Sequence, residues 1–134
     1  MEYADFIRKC EKGKVYSIDE PIFFPRFIKT ILFQLQDPIM CVSPSISINT
    51  LIKSFCKICS EEELAQLKKK DLYYDSTVDM DFNNMVKRVF PVIIENNIRW
   101  LIIKTSGDFF NMNEKSLTLL AKDYKMTIIV IGVK

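Results

Sequence analysis

Residues Ile39–Cys59 read IMCVSPSISINTLIKSFCKIC, and this stretch decides the fold. It opens with four apolar residues and passes through a loop of serine and proline into a segment with apolar residues at three- to four-residue spacing. An uninterrupted apolar run is typical of a strand buried on both faces of a sheet, and the later spacing is that of a helix. A buried strand followed by a helix predicts a parallel sheet in an α/β protein.

The rest of the chain continues this alternation of strands and helices. Before this stretch we predict an amphipathic piece over 3–10, an edge strand over 15–18 and a helix over about 22–36. After it we predict a polar helical stretch over 61–70, an aromatic strand over 71–75, a turn over 76–81 and a helix from 82 that Pro91 kinks or restarts. A strand over 98–103, a helix with capping-box spacing at Asn111 and Glu114, and a last strand over 127–133 complete the chain. This order predicts an α/β fold with a mostly parallel central sheet of about four to five strands, covered on both faces.

Length and composition favour one folded domain. A chain of 134 residues can bury roughly two-thirds of its unfolded surface. We expect a single domain over 1–134, with 1–36 as an amino-terminal extension and helix and 37–134 as the core. The 12% aromatic content is high, so some apolar surface is expected to face a partner.

Charge and hydropathy exclude several classes of protein. The formal charge of +2 gives no strong basic field for nucleic acid, and the Lys68–Lys70 run is expected to be a solvated helix end. No apolar run approaches the ~18 residues of a membrane helix. The start MEYADFIRKC has no signal-peptide hydrophobic region, so we expect an intracellular protein without a membrane partner.

The four cysteines do not indicate a disulfide framework or a zinc site. The sequence has no histidine, which excludes a mixed Cys/His zinc site, and we expect no metal. Cys56-x-x-Cys59 falls inside a helical pattern, whereas redox pairs lie at a helix amino terminus that lowers the thiol pKa. We therefore expect buried core thiols, with a redox pair as the alternative.

Residues Ser43–Thr50 (SPSISINT) have the length of the phosphate-loop template G-x-x-x-x-G-K-[ST] but keep only its last residue. Ser43 and Ile48 stand at the glycine positions and Asn49 at the lysine position. Ile48 is β-branched, resists positive φ and is expected to fill the phosphate volume. The lost lysine removes an attraction on the order of a few kcal/mol at an effective dielectric near ~20. An ordinary strand, loop and helix is the alternative interpretation.

Three later segments, in this order, complete a resemblance to a known family. They are DLYYDST (71–77), RWLIIK (99–104) and LLAKDYKMTIIVIGV (119–133). Together with the loop, they resemble the RecA-type recombinase core and its eukaryotic paralogues over roughly residues 37–134. The resemblance implies a three-layer RecA-like phosphate-loop fold.

The departures from this family point away from catalysis. Thr77 stands where the family has the glutamate that activates water, and Lys104 stands where it has the aspartate of the magnesium site. With Ser43, Ile48 and Asn49, these changes replace every phosphoryl-transfer residue except Thr50. Neither a catalytic residue nor a cofactor is expected.

Three of the charged side chains at these positions leave a choice open. Asp75 and Asp108 could rescue a metal site, but we expect surface or loop-capping roles. Lys104 either replaces the lost loop charge or is a strand-end lysine that is exposed or paired with Asp108.

The resemblance implies a non-catalytic recombinase-paralogue subunit that binds a partner and carries out no chemistry. Such a subunit would bind another RecA-like protein, as an obligate heterodimer or a larger complex, and assist recombinase filament assembly or remodelling during homologous recombination in the nucleus. DNA contact is expected to be weak or through the complex, because the sequence ends where recombinases continue into a DNA-binding loop.

Three alternatives remain. They are a RecA-like structural subunit of another assembly, such as the Elongator ring, a divergent nucleotide-binding enzyme that uses serine hydroxyls, and a flavodoxin- or response-regulator-like domain.

Overall fold

Five short strands form one parallel sheet at the centre of the molecule. The computed structural model describes residues 1–76, 81–106 and 108–133. The strands are β1 (Val15–Ile18), β2 (Ile39–Val42), β3 (Leu72–Asp75), β4 (Trp100–Ser106) and β5 (Thr127–Val133). They pair in parallel in the order β1-β5-β4-β2-β3, which confirms the predicted parallel sheet.

Helices cover both faces of this sheet. Within the described residues they are α1 (Tyr3–Lys9), α2 (Phe24–Gln34), α3 (Ile48–Ile58), α4 (Glu61–Leu67), α5 (Phe82–Glu95) and α6 (Phe109–Tyr124). Helices α1 to α4 contribute to one core cluster, so we call that side of the sheet the α2 face. Helices α5 and α6 contribute to a second cluster on the opposite side, the α5 face.

Alternation along the strands divides the core in two. In β2, Ile39 and Cys41 belong to the cluster of the α2 face, while Met40 and Val42 belong to that of the α5 face. All four side chains are buried. A strand buried on both faces has no polar side, which is why IMCV is apolar throughout.

The direction of winding explains the placement of the helices. The connections from β1 to β2 and from β2 to β3 run one way across the sheet, and their helices lie on the α2 face. The connections from β3 to β4 and from β4 to β5 run the other way, and their helices lie on the α5 face. A right-handed crossover requires this change of face when the direction reverses.

If β2 to β5 are renumbered 1 to 4 and the sheet is read from the β3 edge, these four strands lie in the order 2-1-3-4, and β1 lies in the fifth position. This is the order of flavodoxin-like doubly wound sheets.

Residues 1–36 pack against the rest of the chain, because β1 pairs with β5, and Ile7 and Phe27 lie in the same core cluster as Leu51.

The predicted boundaries of one strand and of one helix are wrong. Strand β4 begins at Trp100 and reaches Ser106, because its pairing with β5 continues to Val133. Helix α6 begins at Phe109, so the capping box at Asn111 and Glu114 is not used. Phe109 is buried against the ring of Phe82, and this packing sets the start of the helix.

Helix α5 is continuous through Pro91, so of the two predicted effects, a kink or a restart, the restart does not occur. Pro91 is exposed. The carbonyl that its missing N–H leaves unbonded can accept from water on this side, which lowers the cost of proline inside the helix. Across the described part of the chain, no helix is long and apolar enough to cross a membrane.

The burial of β4 gives a test of this arrangement. Ile102 is fully buried and is paired with Cys41 of β2, so Ile102→Ala should lower the free energy of unfolding by about 2–5 kcal/mol. The control is Leu119→Ala on α6, where the side chain is 61% exposed and the expected change is within about 0.5 kcal/mol. Urea denaturation of both variants measures the difference, and equal losses would contradict the assigned core.

Candidate functional site

The winding reverses at the pair β2 and β4, which lie side by side in the sheet. In open parallel sheets, ligands bind in the crevice outside the carboxyl ends of two such strands. Here the crevice is bordered by residues 43–47 after β2 and by the end of β4 with Asp108 beyond it. It contains the sequence-predicted loop and Lys104, so it is the candidate site.

The loop after β2 is held down on the neighbouring strand. The Ser43 N–H donates to the carbonyl of Asp75 at 3.0 Å, which extends the pairing of β2 with β3. The Tyr74 hydroxyl donates to the carbonyl of Ile46 at 2.7 Å. The side chains of Ile46 and Tyr74 both pack against the core of the α2 face. The loop is therefore fixed from β3 and lies against the molecule.

The start of α3 satisfies its own polar groups. Ser47 is the N-cap residue, and its side chain accepts from the Thr50 N–H at 3.1 Å. The Ser47 and Thr50 hydroxyls also form a hydrogen bond of 2.9 Å. Thr50 is the one residue retained from the phosphate-loop template, and its hydroxyl is engaged in this cap.

The backbone of the loop does not adopt a glycine conformation. Among the described residues, positive φ occurs at Gly13, Asn97 and Lys125, and none of these lies in 43–50. Ile48 and Asn49 occupy the first turn of α3, and both are exposed. Ile48 is 37% exposed at the helix start, and the expectation that it fills the phosphate volume stays a prediction.

Ser43 is the unusual polar residue of this loop. Its side chain is fully buried, and its Oγ has no hydrogen-bond partner of ordinary geometry among the described residues. A hydroxyl buried without a partner costs about 1–3 kcal/mol. The Ser43 hydroxyl is therefore expected to lower stability rather than to raise it.

Lys104 lies on the α2 face, inside β4 rather than at its end. Its Nζ is 5.8 Å from the centre of the Phe24 ring, a cation–π distance, and Phe24 is buried at the start of α2. No ion pair with Asp108 is found within the described residues. The predicted pairing with Asp108 is thus wrong.

Two open depressions flank the end of β4. The one on the side of Lys104 has a volume of about 440 Å³ and is also lined by Asp19 and Glu20. The one on the other side has a volume of about 360 Å³ and is lined by Thr105 and Asp108. Carboxylates beside Lys104 oppose its charge, so the first depression does not favour a phosphate group.

The two aspartates considered for a metal have different positions. Asp75 forms an ion pair with Arg88 at 3.0 Å across to α5. Asp108 is exposed at the start of α6, and its side chain forms no cap hydrogen bond. Within the ranges that the structure covers, no three Cys, Asp or Glu side chains are grouped as metal ligands. Thr77 lies outside the described residues.

Burial controls the proton affinities around the crevice. It raises the pKa of the Tyr74 phenol, and a thiolate at Cys41 would act in the same direction. The Ser43 hydroxyl opposes this rise, although it lies outside ordinary hydrogen-bond geometry. Burial also raises the pKa of the Cys41 thiol, and Lys104 opposes that effect. The phenol and the thiol are therefore neutral at neutral pH and serve as packing and hydrogen-bonding groups.

Tyr74 is the residue that the sequence did not reveal as part of the site. It belongs to the aromatic strand 71–75, which was predicted, but its bond to Ile46 joins residues 28 positions apart. The alternation of a strand would place Tyr73 and Tyr74 on opposite faces. That signal identifies Tyr74 only once the neighbour of β3 is known.

Two serines of the same loop give opposite predictions. Ser47→Ala removes the N-cap of α3 and should lower the free energy of unfolding by about 0.5–2 kcal/mol. Ser43→Ala removes a buried hydroxyl without a partner and should leave stability unchanged or raise it. Urea denaturation measures both variants, and a larger loss for Ser43→Ala would show that its hydroxyl is bonded in solution.

The raised pKa values predict a loss of stability at alkaline pH. Burial raises the pKa of Cys10 to about 11 from the ordinary 9.0, and it raises the pKa of Cys41 and Tyr74 as well. The folded state keeps these protons when the unfolded state has lost them, so the contribution is complete below pH 9.0 and is lost as pH rises through 11.

Urea denaturation at about pH 8 and about pH 10.5 checks this sign, with less stability expected at the higher pH. Cys41→Ala is the control, because it removes one of the groups and should reduce the alkaline loss. An equal loss in the variant and the natural chain would contradict the role of Cys41.

No protein-family model matches the sequence, and no curated protein matches it. The residues of the crevice and their geometry are thus the observations on which a function can be based.

Proposed function

We propose that this chain is a non-catalytic subunit that binds another RecA-like protein and assists recombinase filament assembly or remodelling in homologous recombination, in the nucleus. The observation that carries the proposal is the state of the loop over 43–50. Its Ser47 and Thr50 hydroxyls bond to each other, and its Ile46 carbonyl accepts from Tyr74. A loop committed to such contacts supports binding rather than phosphate chemistry.

The charges around the loop support the same proposal. Phosphoryl transfer needs a magnesium ion held by carboxylates and cationic groups around the phosphates. Asp75, the carboxylate at the end of β3, is paired with Arg88, and Lys104 lies over the Phe24 ring. By the sequence resemblance, Lys104 stands where the family has the magnesium-site aspartate. A positive charge there repels a metal ion.

An apolar stripe on α3 is the surface that we assign to the partner. It consists of Ile48, Ile52 and Cys56, which follow each other at four-residue spacing. Ile52 is 49% exposed, and Cys56 is exposed as well. Residues at this spacing share one face of a helix. The stripe adjoins Leu51 and Phe55, which α3 buries in the core, so it extends the apolar surface outward.

The flanks of the stripe indicate the character of the partner surface. Lys53 and Lys57 are exposed beside it on α3. Protein interfaces combine an apolar centre with a polar rim of complementary charge. The partner is therefore expected to present an apolar patch with acidic residues at its edge.

Two other functions are possible for this fold, and the identity of the bound partner or ligand would distinguish them from the first proposal. A structural subunit of an Elongator-like assembly would use the same chemistry with a different partner. The 2-1-3-4 strand order favours a second candidate, a flavodoxin-like ligand-binding domain, because such domains bind ligands at the crevice between β2 and β4. The bond of Tyr74 to the Ile46 carbonyl fixes the loop that borders this crevice, and this supports the first proposal.

The proposal predicts that the partner is lost when the stripe is charged. The chain is co-expressed with recombinase-like proteins of its own organism, and complexes are isolated through a tag on this chain. Ile52→Glu should reduce recovery of the partner at least about tenfold, because a carboxylate replaces an interfacial apolar group. Ile94→Glu, at a 60% exposed position at the end of α5, should not change recovery.

Circular dichroism and size-exclusion chromatography establish that both variants are folded. A monodisperse chain that binds none of the recombinase-like proteins would contradict the proposal. Equal loss of the partner in both variants would contradict the assignment of the stripe. Recovery of subunits from an unrelated assembly would support the Elongator-like alternative.

A further inference from the structure

The carboxyl-terminal end of α3 carries two cysteines three residues apart. Cys56 lies in the last turn and is exposed, and Cys59 is the C-cap residue and is half-buried. Both are free thiols. The expectation of buried core thiols is therefore wrong for Cys56, since α3 turns residues 51 and 55 inward and residue 56 outward.

The backbone brings the two residues within disulfide range. The Cys59 N–H donates to the Phe55 carbonyl at 2.9 Å, so the position of Cys59 is still fixed by the helix. Helical rise and radius place α-carbons three residues apart at about 5 Å. Disulfides join α-carbons at roughly 4.4–6.8 Å. The pair therefore requires little movement of the backbone to be bridged.

Cys59 has the freedom that a residue inside a helix lacks. Its backbone is extended, with φ −111° and ψ 147°, and Ser60 then begins α4 as a capping-box residue. The segment between the two helices is thus a joint of Cys59 and Ser60. Rotation at this joint can orient the Cys59 side chain toward Cys56 while both helices keep their hydrogen bonds.

Basic side chains lie next to this joint. Lys29, whose side chain is 15% exposed, donates to the Ile58 carbonyl at 3.5 Å and forms an ion pair with Glu63 at 2.9 Å. The pKa of Cys59 is raised, mainly by burial and also by Glu63 and Cys56, while the charges of Lys29 and Arg26 oppose part of that rise. Cations near a sulfur stabilise the thiolate that takes part in disulfide exchange.

The other two cysteines are less suited to oxidation. Cys41 is fully buried in β2, where a dissolved oxidant cannot reach it. Cys10 is half-buried, and its thiol donates to the Phe6 carbonyl at 3.3 Å. These differences leave Cys56 as the exposed thiol from which exchange can begin.

We propose that Cys56 and Cys59 form a site of reversible disulfide formation with low-molecular-weight disulfides of the glutathione class. The Cys56 thiolate attacks one sulfur of the oxidant, forming a mixed disulfide and releasing one thiolate. The Cys59 thiolate attacks the Cys56 sulfur and releases the second thiolate. Two protein thiols are oxidised to one disulfide, the oxidant is reduced to two thiols, and the two protons go to the released thiolates. Cys56 also belongs to the stripe assigned to the partner, so the site is tested in the chain alone, where this thiol is exposed.

Peptide mapping tests the proposal in the natural chain. The reduced protein is equilibrated with mixtures of oxidised and reduced glutathione, blocked with N-ethylmaleimide and digested with trypsin without reduction. Cleavage after Lys53, Lys57 and Lys68 separates the two cysteines, so the disulfide links peptides 54–57 and 58–68. We expect this linked pair to increase with the proportion of oxidised glutathione and to disappear when reduced glutathione is restored.

Two variants separate the formation of the mixed disulfide from the formation of the Cys56–Cys59 disulfide. Cys59→Ser should accumulate the mixed disulfide on Cys56, because the second thiol is missing, and Cys10→Ser should form the linked peptides like the natural chain. Failure of the linked peptides to appear in the natural chain, or a mixed disulfide on Cys56 that persists there as it does in Cys59→Ser, would overturn the proposal.

Discussion

The parallel pairing of β2 with β4 is the constraint on which the rest of the structure depends. It places the run IMCV between two strands, so that each of its side chains is buried on one face or the other. Because the chain winds away from this pair in opposite directions, the helices divide between the two faces. The same reversal brings the loop over 43–47 and the end of β4 to one edge of the sheet, where they form the crevice.

The residues that border the crevice make contacts within the protein. Tyr74 reaches from β3 to the Ile46 carbonyl, and the Ser47 hydroxyl satisfies the start of α3. Lys104 lies over the Phe24 ring, and it lines a depression together with Asp19 and Glu20. In this chain these contacts serve packing and capping, which is why binding to another protein is the proposed function.

Much of the fold follows from local sequence. Strands β1, β2 and β5 have the predicted bounds, because each is an apolar run bordered by glycine, proline or a polar turn. The ends of β4 and the start of α6 were predicted wrongly, since they depend on the pairing of β4 with β5 and on the burial of Phe109. Local propensity carries no information about either contact.

The candidate site was less predictable than the fold. The sequence identified the loop over 43–50 and Lys104, but not the bond of Tyr74 to Ile46 or the exposure of Ile48 and Cys56. These features depend on which strand lies beside β2 and on how α3 is rotated against the sheet. Helical periodicity shows that α3 has a wide apolar face, but it does not show which part of that face is left uncovered.

The most direct measurement of the central claim is an NMR titration of the ¹⁵N-labelled chain with ATP and magnesium. The account predicts that the amide resonances of residues 43–50 and Lys104 do not shift, because the loop is held by Tyr74 and capped by Ser47. Saturable shifts confined to these residues would show a nucleotide in the crevice and would contradict the account.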